Sequence, residues 1–193
     1  MHDLRDATAA LSALTARTSD AALDAETPCD RSVAWLLDHI AGLSLAFTLA
    51  ATKTRSDLID RPPTPSEVAL DPDWRRVIPE RLDTLAEAWR APEAWEGTTR
   101  VGGVDLPAAV AATVALDELV LHGWDLAVAT GSPFAVAPAD LDVVHDFVLE
   151  SAAPGAPRDG IFGPVVAVAA DAPRLDRVLG LAGRDPGWEP GRS

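Results

Sequence analysis

PAAVAATVALDELVLHGWDLAVATG, residues 107–131, is the stretch that decides the fold. From Val110 to Val128 it is apolar almost all round, interrupted at first only by Asp117 and Glu118. A helix of that character belongs in the centre of a bundle, because a surface helix keeps a polar face. Pro107 suits the first turn and Gly131 the position just past the end, so the segment carries its own start and stop signals. Glu118 and His122 lie four residues apart and share a face.

Working outward, the chain repeats helical periodicity. Leu4, Ala7, Leu11 and Leu14 predict a first amphipathic helix from about Asp3 to Ala22. Thr27-Pro28-Cys29-Asp30 is turn material, and Ser32 is placed to cap a second helix running to about Thr54, with Lys53 and Arg55 suiting its C-terminal dipole. Prolines make Asp60 to Pro72 a loop; Asp71-Pro72 then opens a third helix carrying Trp74, Val77, Ile78, Leu82, Leu85 and Trp89. Gly97 to Leu106 predicts a β-hairpin turning on Gly102-Gly103. After the central helix, Pro138 or Ala139 starts a fifth helix to about Ser151, followed by a strand at Val165 to Val168 and a short helix at Leu175 to Leu181. The expected class is mainly all-α: a four-helix bundle over residues 1–155 with a small β-hairpin, and a C-terminal extension over residues 156–193 packed on it, as one domain.

Composition limits function. The 193 residues hold 16 basic and 30 acidic side chains, a formal charge of −14, with a pI near 4.5 and a mean hydropathy of +0.08. With no basic patch, nucleic acid is not expected as a partner, and the charge disfavours anionic membranes. The longest strongly apolar stretch is taken as Val110 to Leu121, too short to cross a bilayer. The N-terminus lacks a signal-peptide pattern, so a cytoplasmic location is expected. One cysteine excludes a disulfide scaffold. Asn, Gln and Tyr are missing altogether, which leaves carboxylates, four histidines, hydroxyls, Arg and Trp to do any chemistry.

A carboxylate in an apolar run is costly unless it is paired or bound to a metal. Glu118 and His122 are therefore either a hydrogen-bonded pair, a Glu paired with an Arg from elsewhere, or two ligands to one cation. Gly123 beside them signals tight packing or space kept for a ligand. His39 lies on the inward stripe of Trp35, Leu36, Leu43, Ala46 and Phe47, while Asp38 points away. It is either a satisfied core histidine or a third ligand, which would complete an open two-histidine, one-carboxylate site. Asp125, three residues after His122, can support its ring, cap, or face solvent. His145 is expected on a solvated face, His2 to be mobile, and Cys29 to be a small buried hydrophobe.

Thr27-Pro28-Cys29 with Leu36-Leu37-Asp38-His39-Ile40-Ala41-Gly42, together with Glu118-Leu119-Val120-Leu121-His122-Gly123-Trp124-Asp125-Leu126-Ala127, resembles the metal-binding domain of the mycothiol-dependent maleylpyruvate isomerases. Phe162-Gly163-Pro164, Leu175-Asp176-Arg177 and Gly183-Arg184-Asp185-Pro186-Gly187-Trp188 resemble the tail of its short actinobacterial metal-binding branch. The resemblance implies a DinB-like bundle whose divalent ion, zinc first and nickel or iron as alternatives, is held by His39, Glu118 and His122. It further implies mycothiol as cosubstrate and an electrophilic small molecule as the other partner, in S-transfer or isomerisation. The alternative is a non-catalytic metal-binding or sensor module with a structural ion. Either is compatible with a homodimer.

Overall fold

The computed structural model describes residues 1–60, 70–156, 158 and 160–191. Its helices are α1 (Arg5–Arg17), α2 (Val33–Ala51), α3 (Asp57–Asp60), α4 (Trp74–Ala88), α5 (Ala108–Thr130), α6 (Pro138–Ser151) and α7 (Arg174–Leu181), with strands β1 (Thr98–Val101) and β2 (Val104–Pro107). The bundle is a ring of α1, α4, α2 and α5, each packing on its two neighbours, while α6 lies against α5 and α7 against α6. Leu11, Leu14, Leu36, Leu37, Ile78, Leu82, Leu85, Leu116 and Leu126 fill the core. The class is mainly helical with one small two-stranded antiparallel sheet. Most of the loop expected from Asp60 to Pro72 lies outside the described residues.

The local signals act as their chemistry requires. The Ser32 hydroxyl accepts from the Trp35 backbone N–H at 3.2 Å and starts α2. Gly102 and Gly103 both take positive φ (60° and 81°), the primed turn whose twist matches that of the paired strands. Gly131, at φ 63°, closes α5. Gly123 is a packing glycine: a Cβ there would stand 2.6 Å from Phe134 Cζ.

Several boundaries depart from expectation. α1 stops at Arg17, well before Ala22, because Thr15 and Thr18 turn their hydroxyls onto the carbonyls of Leu11 and Leu14, and Thr18 leaves in an extended conformation. Asp20–Ala22 forms a separate 3₁₀ turn. α2 ends at Ala51. Lys53, at φ 53°, is the left-handed residue after it, and its ammonium serves the carbonyls of Glu93 and Glu96 rather than the end of its own helix. α4 begins at Trp74, since Asp71 spends its side chain on the Asp73 N–H in a turn. The short helix α3 had no periodic signal. No strand forms at Val165 to Val168; the segment makes one backbone bond, Val166 N–H to Gly180 O at 2.9 Å, which is too few to build a ladder. Among the described residues α2, and not the run at Val110, is the helix long and apolar enough by composition to cross a membrane; in the fold its Leu36, Leu37, Ile40 and Phe47 are core residues.

Candidate metal centre

The helices α2 and α5 pack side by side, which brings their inward polar residues together. The ligand atoms of His39, Glu118 and His122 all lie within 4.8 Å of one another. The two imidazoles meet edge to face, centroids 5.0 Å apart. His39 also stacks on Trp35, one turn earlier on α2, at 4.9 Å and 17° between planes. That stack fixes the ring and shields one side of it. The core-histidine and third-ligand alternatives are resolved this far: His39 is half-buried and has His122, Glu118 and Trp35 as its neighbours.

His122 sits between two carboxylates. Its Nε2 is 2.9 Å from Glu118 Oε2, and its Nδ1 is 3.0 Å from Asp125 Oδ2. Burial alone would lower the His122 pKa, but the hydrogen bonds to Asp125, Cys29 and Glu118 outweigh it and raise it well above the ordinary value. His39 behaves oppositely. Burial and the neighbouring positive His122 bring it down to about 4, against the weaker pull of Glu118. It is therefore a neutral imidazole at physiological pH, which is the form that binds metals. Burial raises Glu118, yet its bond to His122 and the charges of His122 and Arg184 lower it overall. Its side chain remains 30% exposed, so the Nε2 side of the ring opens towards solvent.

The Nδ1 side is closed. Asp125 is fully buried, and it accepts from His122 Nδ1, from Cys29 Sγ at 3.3 Å, and from the Arg184 guanidinium through two bonds of 2.9 Å. Burial works to raise Asp125, but the bonds and charges of His122 and Arg184 hold it down at about 2. An ionised carboxylate only accepts, so Nδ1 carries the proton and Nε2 faces Glu118. Asp125 thus takes the supporting role among the three open to it. Cys29, His122 and Asp125 also offer ligand atoms within 4.8 Å of one another. The Arg184 fork on Asp125 already supplies the positive charge there, so a cation has no reason to occupy that side. Asp117, next to Glu118, is buried, and its Oδ1 has no hydrogen-bond partner among the described residues; burial and the Glu118 charge push its carboxyl well up, only partly opposed by Arg184 and His122.

Two residues of this cluster escaped sequence reasoning. Cys29 is not an inert buried hydrophobe: the Thr27–Asp30 turn, closed by Asp30 N–H to Thr27 O at 3.0 Å, aims its sulfur at Asp125. Arg184 comes from beyond α7 with no periodic pattern to announce it. The remaining histidines are elsewhere, and both expectations for them need correction. His2 is fixed, with Nε2 3.3 Å from Ala112 O and its ring edge-on to Trp95. His145 has a side chain only 16% exposed and lies 3.2 Å from Asp146 Oδ1.

A helical bundle whose two central helices converge two imidazoles and a carboxylate on one point is, as a class, a candidate metal-binding bundle. The family model of the mycothiol maleylpyruvate isomerase N-terminal domain matches residues 4–127, and the chain belongs to that family. No curated protein and no solved structure matches the chain.

Proposed function

We propose that His39, Glu118 and His122 hold one divalent metal ion, and that the protein uses it in S-transfer or isomerisation with a low-molecular-weight thiol, mycothiol by its family. The observation that carries the reading is the convergence of these three donors within 4.8 Å, with a neutral His39 and an oriented His122. The donor set fits the group: two nitrogens and one oxygen suit zinc first, and nickel or iron also accept it. Ligands around one ion stand about 3.4 Å apart, so the gap closes with small side-chain movements. Among the described residues no fourth His, Cys, Asp or Glu joins the three, which favours an open position over a closed structural site.

When bound, such an ion lowers the pKa of a thiol that reaches it, favouring the nucleophilic thiolate at neutral pH. The chain's own residues do the rest. Asp125 keeps the proton on His122 Nδ1 and so keeps Nε2 turned to the site. Trp35 covers one face of His39 and limits water there. A hollow of about 10 Å³ beside Glu118, lined by Leu43, Phe47, Leu85 and Leu119, is too small for a substrate, so thiol and electrophile approach from the exposed side of Glu118.

The test loads purified protein with Zn(II), Ni(II) or Fe(II) and follows consumption of mycothiol or glutathione with a panel of electrophiles. Metal-dependent consumption of mycothiol, lost in His39→Ala and Glu118→Ala, is the expected result. Metal uptake without thiol consumption would leave only the ion, as in a structural or sensor module. Absence of metal uptake would overturn the reading.

A further inference from the structure

The matched family region ends at residue 127, yet the carboxylate that orients His122 is clamped by a residue far beyond it. Arg184 lies 59 residues after Asp125. Its placement is built in. α7 ends in a Schellman motif: the Gly183 N–H bonds Gly180 O at 3.1 Å and the Arg184 N–H bonds Leu179 O at 2.8 Å. Gly183 takes φ +84°, and any Cβ on it would stand 2.7 Å from the Gly163 backbone, so only glycine fits the turn that launches Arg184. Arg158 straps the same region with bonds of 2.7 Å from Nη2 to Gly163 O and Leu181 O. The Arg184 side chain is 14% exposed and Asp125 fully buried, so Arg184 without Asp125 is a buried cation stripped of its carboxylate, and Asp125 without Arg184 keeps only His122 and the weak Cys29 donor.

We propose that the segment from α7 to Arg184 is a clamp on the metal centre: Arg184 and Asp125 are positioning residues for His122, and docking of this segment and binding of the ion are coupled. The proposal rests on the metal reading above. Asp125 has two jobs, accepting from His122 Nδ1 and from the Arg184 fork, and Oδ2 serves both. Release of Arg184 leaves Asp125 free to turn, and His122 Nε2 then loses its fixed aim. By reciprocity, an ion that holds the His122 ring in place strengthens the hold of Asp125 on Arg184, and hence of the segment on the bundle.

The experiment measures Zn(II) affinity by chelator competition, and backbone hydrogen exchange across residues 174–188 with and without Zn(II). The proteins are the full chain, Arg184→Ala, Arg184→Lys and Arg158→Ala. Expected is a fall in affinity of about 10-fold or more for Arg184→Ala, the range seen for residues that support a metal ligand. Arg184→Lys should recover part of it, since it restores the charge without the fork. In the full chain Zn(II) should slow exchange across 174–188, and in Arg184→Ala that protection should vanish. Arg158→Ala loosens the strap and leaves the Arg184–Asp125 pair in place; it should keep the Zn(II)-dependent protection and lose affinity only a few-fold. If Arg184→Ala does not fold, Arg184→Lys and Arg158→Ala carry the comparison. Unchanged Zn(II) affinity in Arg184→Ala and Arg184→Lys, or exchange indifferent to Zn(II) in the full chain, overturns the clamp while the metal centre stands. A full chain that takes up no Zn(II) overturns the metal reading itself.

Discussion

The two sides of the His122 ring hold similar groups in opposite states. On the Nδ1 side, Asp125 is buried, ionised and satisfied by an imidazole, a thiol and a guanidinium. On the Nε2 side, Glu118 has the His122 ring within hydrogen-bond distance, stays part-exposed, and faces a neutral His39 that offers a lone pair and no charge. Arg184 is a fixed cation on one side; on the other only the titratable His122 proton stands against Glu118, and a divalent ion would compete for that place. The comparison teaches that a cluster of possible ligands is read by what already neutralises it, and not by counting donors.

The largest effect should come from the closed side. Asp125→Ala strands Arg184 in the interior and unties His122, so denaturant unfolding should show a loss of about 3–5 kcal/mol, as for other broken buried ion pairs. A loss below about 1 kcal/mol would mean that this side is not the anchor.

Next comes Glu118→Ala. It should reduce Zn(II) affinity by more than the ~10–100-fold typical of a supporting residue, with a smaller loss of stability than Asp125→Ala, because Glu118 is part-exposed. The affinity of the intact site should also weaken as pH falls, since a proton on His122 Nε2 competes with the ion and that proton is held more tightly than on a free imidazole. Fluorescent-chelator titrations across pH check both.

A third test uses a buried carboxylate given no partner. Asp140, at the start of α6, is 6% exposed and its Oδ2 has no hydrogen-bond partner among the described residues. Burial, and then the charges of Asp6 and Asp3, lift its pKa to about 6. A carboxyl raised above its unfolded value destabilises the fold when ionised. The penalty is full above about pH 6 and fades as pH falls towards about 4. Asp140→Asn should accordingly raise stability by about 1–2 kcal/mol near pH 7.5, with the gain disappearing towards pH 4. Thermal unfolding at several pH values reads this directly, and a stabilisation that persists at low pH would contradict it.

The smallest effect is expected at Cys29. Its S–H is a weak donor to an acceptor already well supplied, so Cys29→Ala should cost about 1 kcal/mol or less and leave Zn(II) affinity unchanged. A drop in affinity matching that of Glu118→Ala would place the ion on the other side of the ring and reverse the comparison.

Legibility in the sequence followed the range of the interaction. Glu118 and His122 share a face because helical geometry links residues four apart, and the apolar run around them announces burial; His39 follows from the stripe on α2. The Gly102-Gly103 turn and the Ser32 cap are local chemistry and were equally readable. Arg184 and Cys29 reach Asp125 across 59 and 96 residues, distances that no periodicity encodes. The family tail Gly183-Arg184-Asp185-Pro186-Gly187-Trp188 was recognisable as a motif, but nothing in it says where the Arg184 side chain would go. The valines at 165–168 illustrate the converse: strand propensity is expressed only where a partner strand exists. His2 shows the same dependence, since Trp95 and Ala112, both distant in sequence, hold it in place.

The central claim is that one divalent ion belongs between His39, Glu118 and His122. Elemental analysis after Zn(II) loading and gel filtration tests it most directly. One equivalent of zinc is expected in the unaltered protein and none retained by His39→Ala or Glu118→Ala; equal zinc in all three, or none in the unaltered protein, would contradict this placement of the ion.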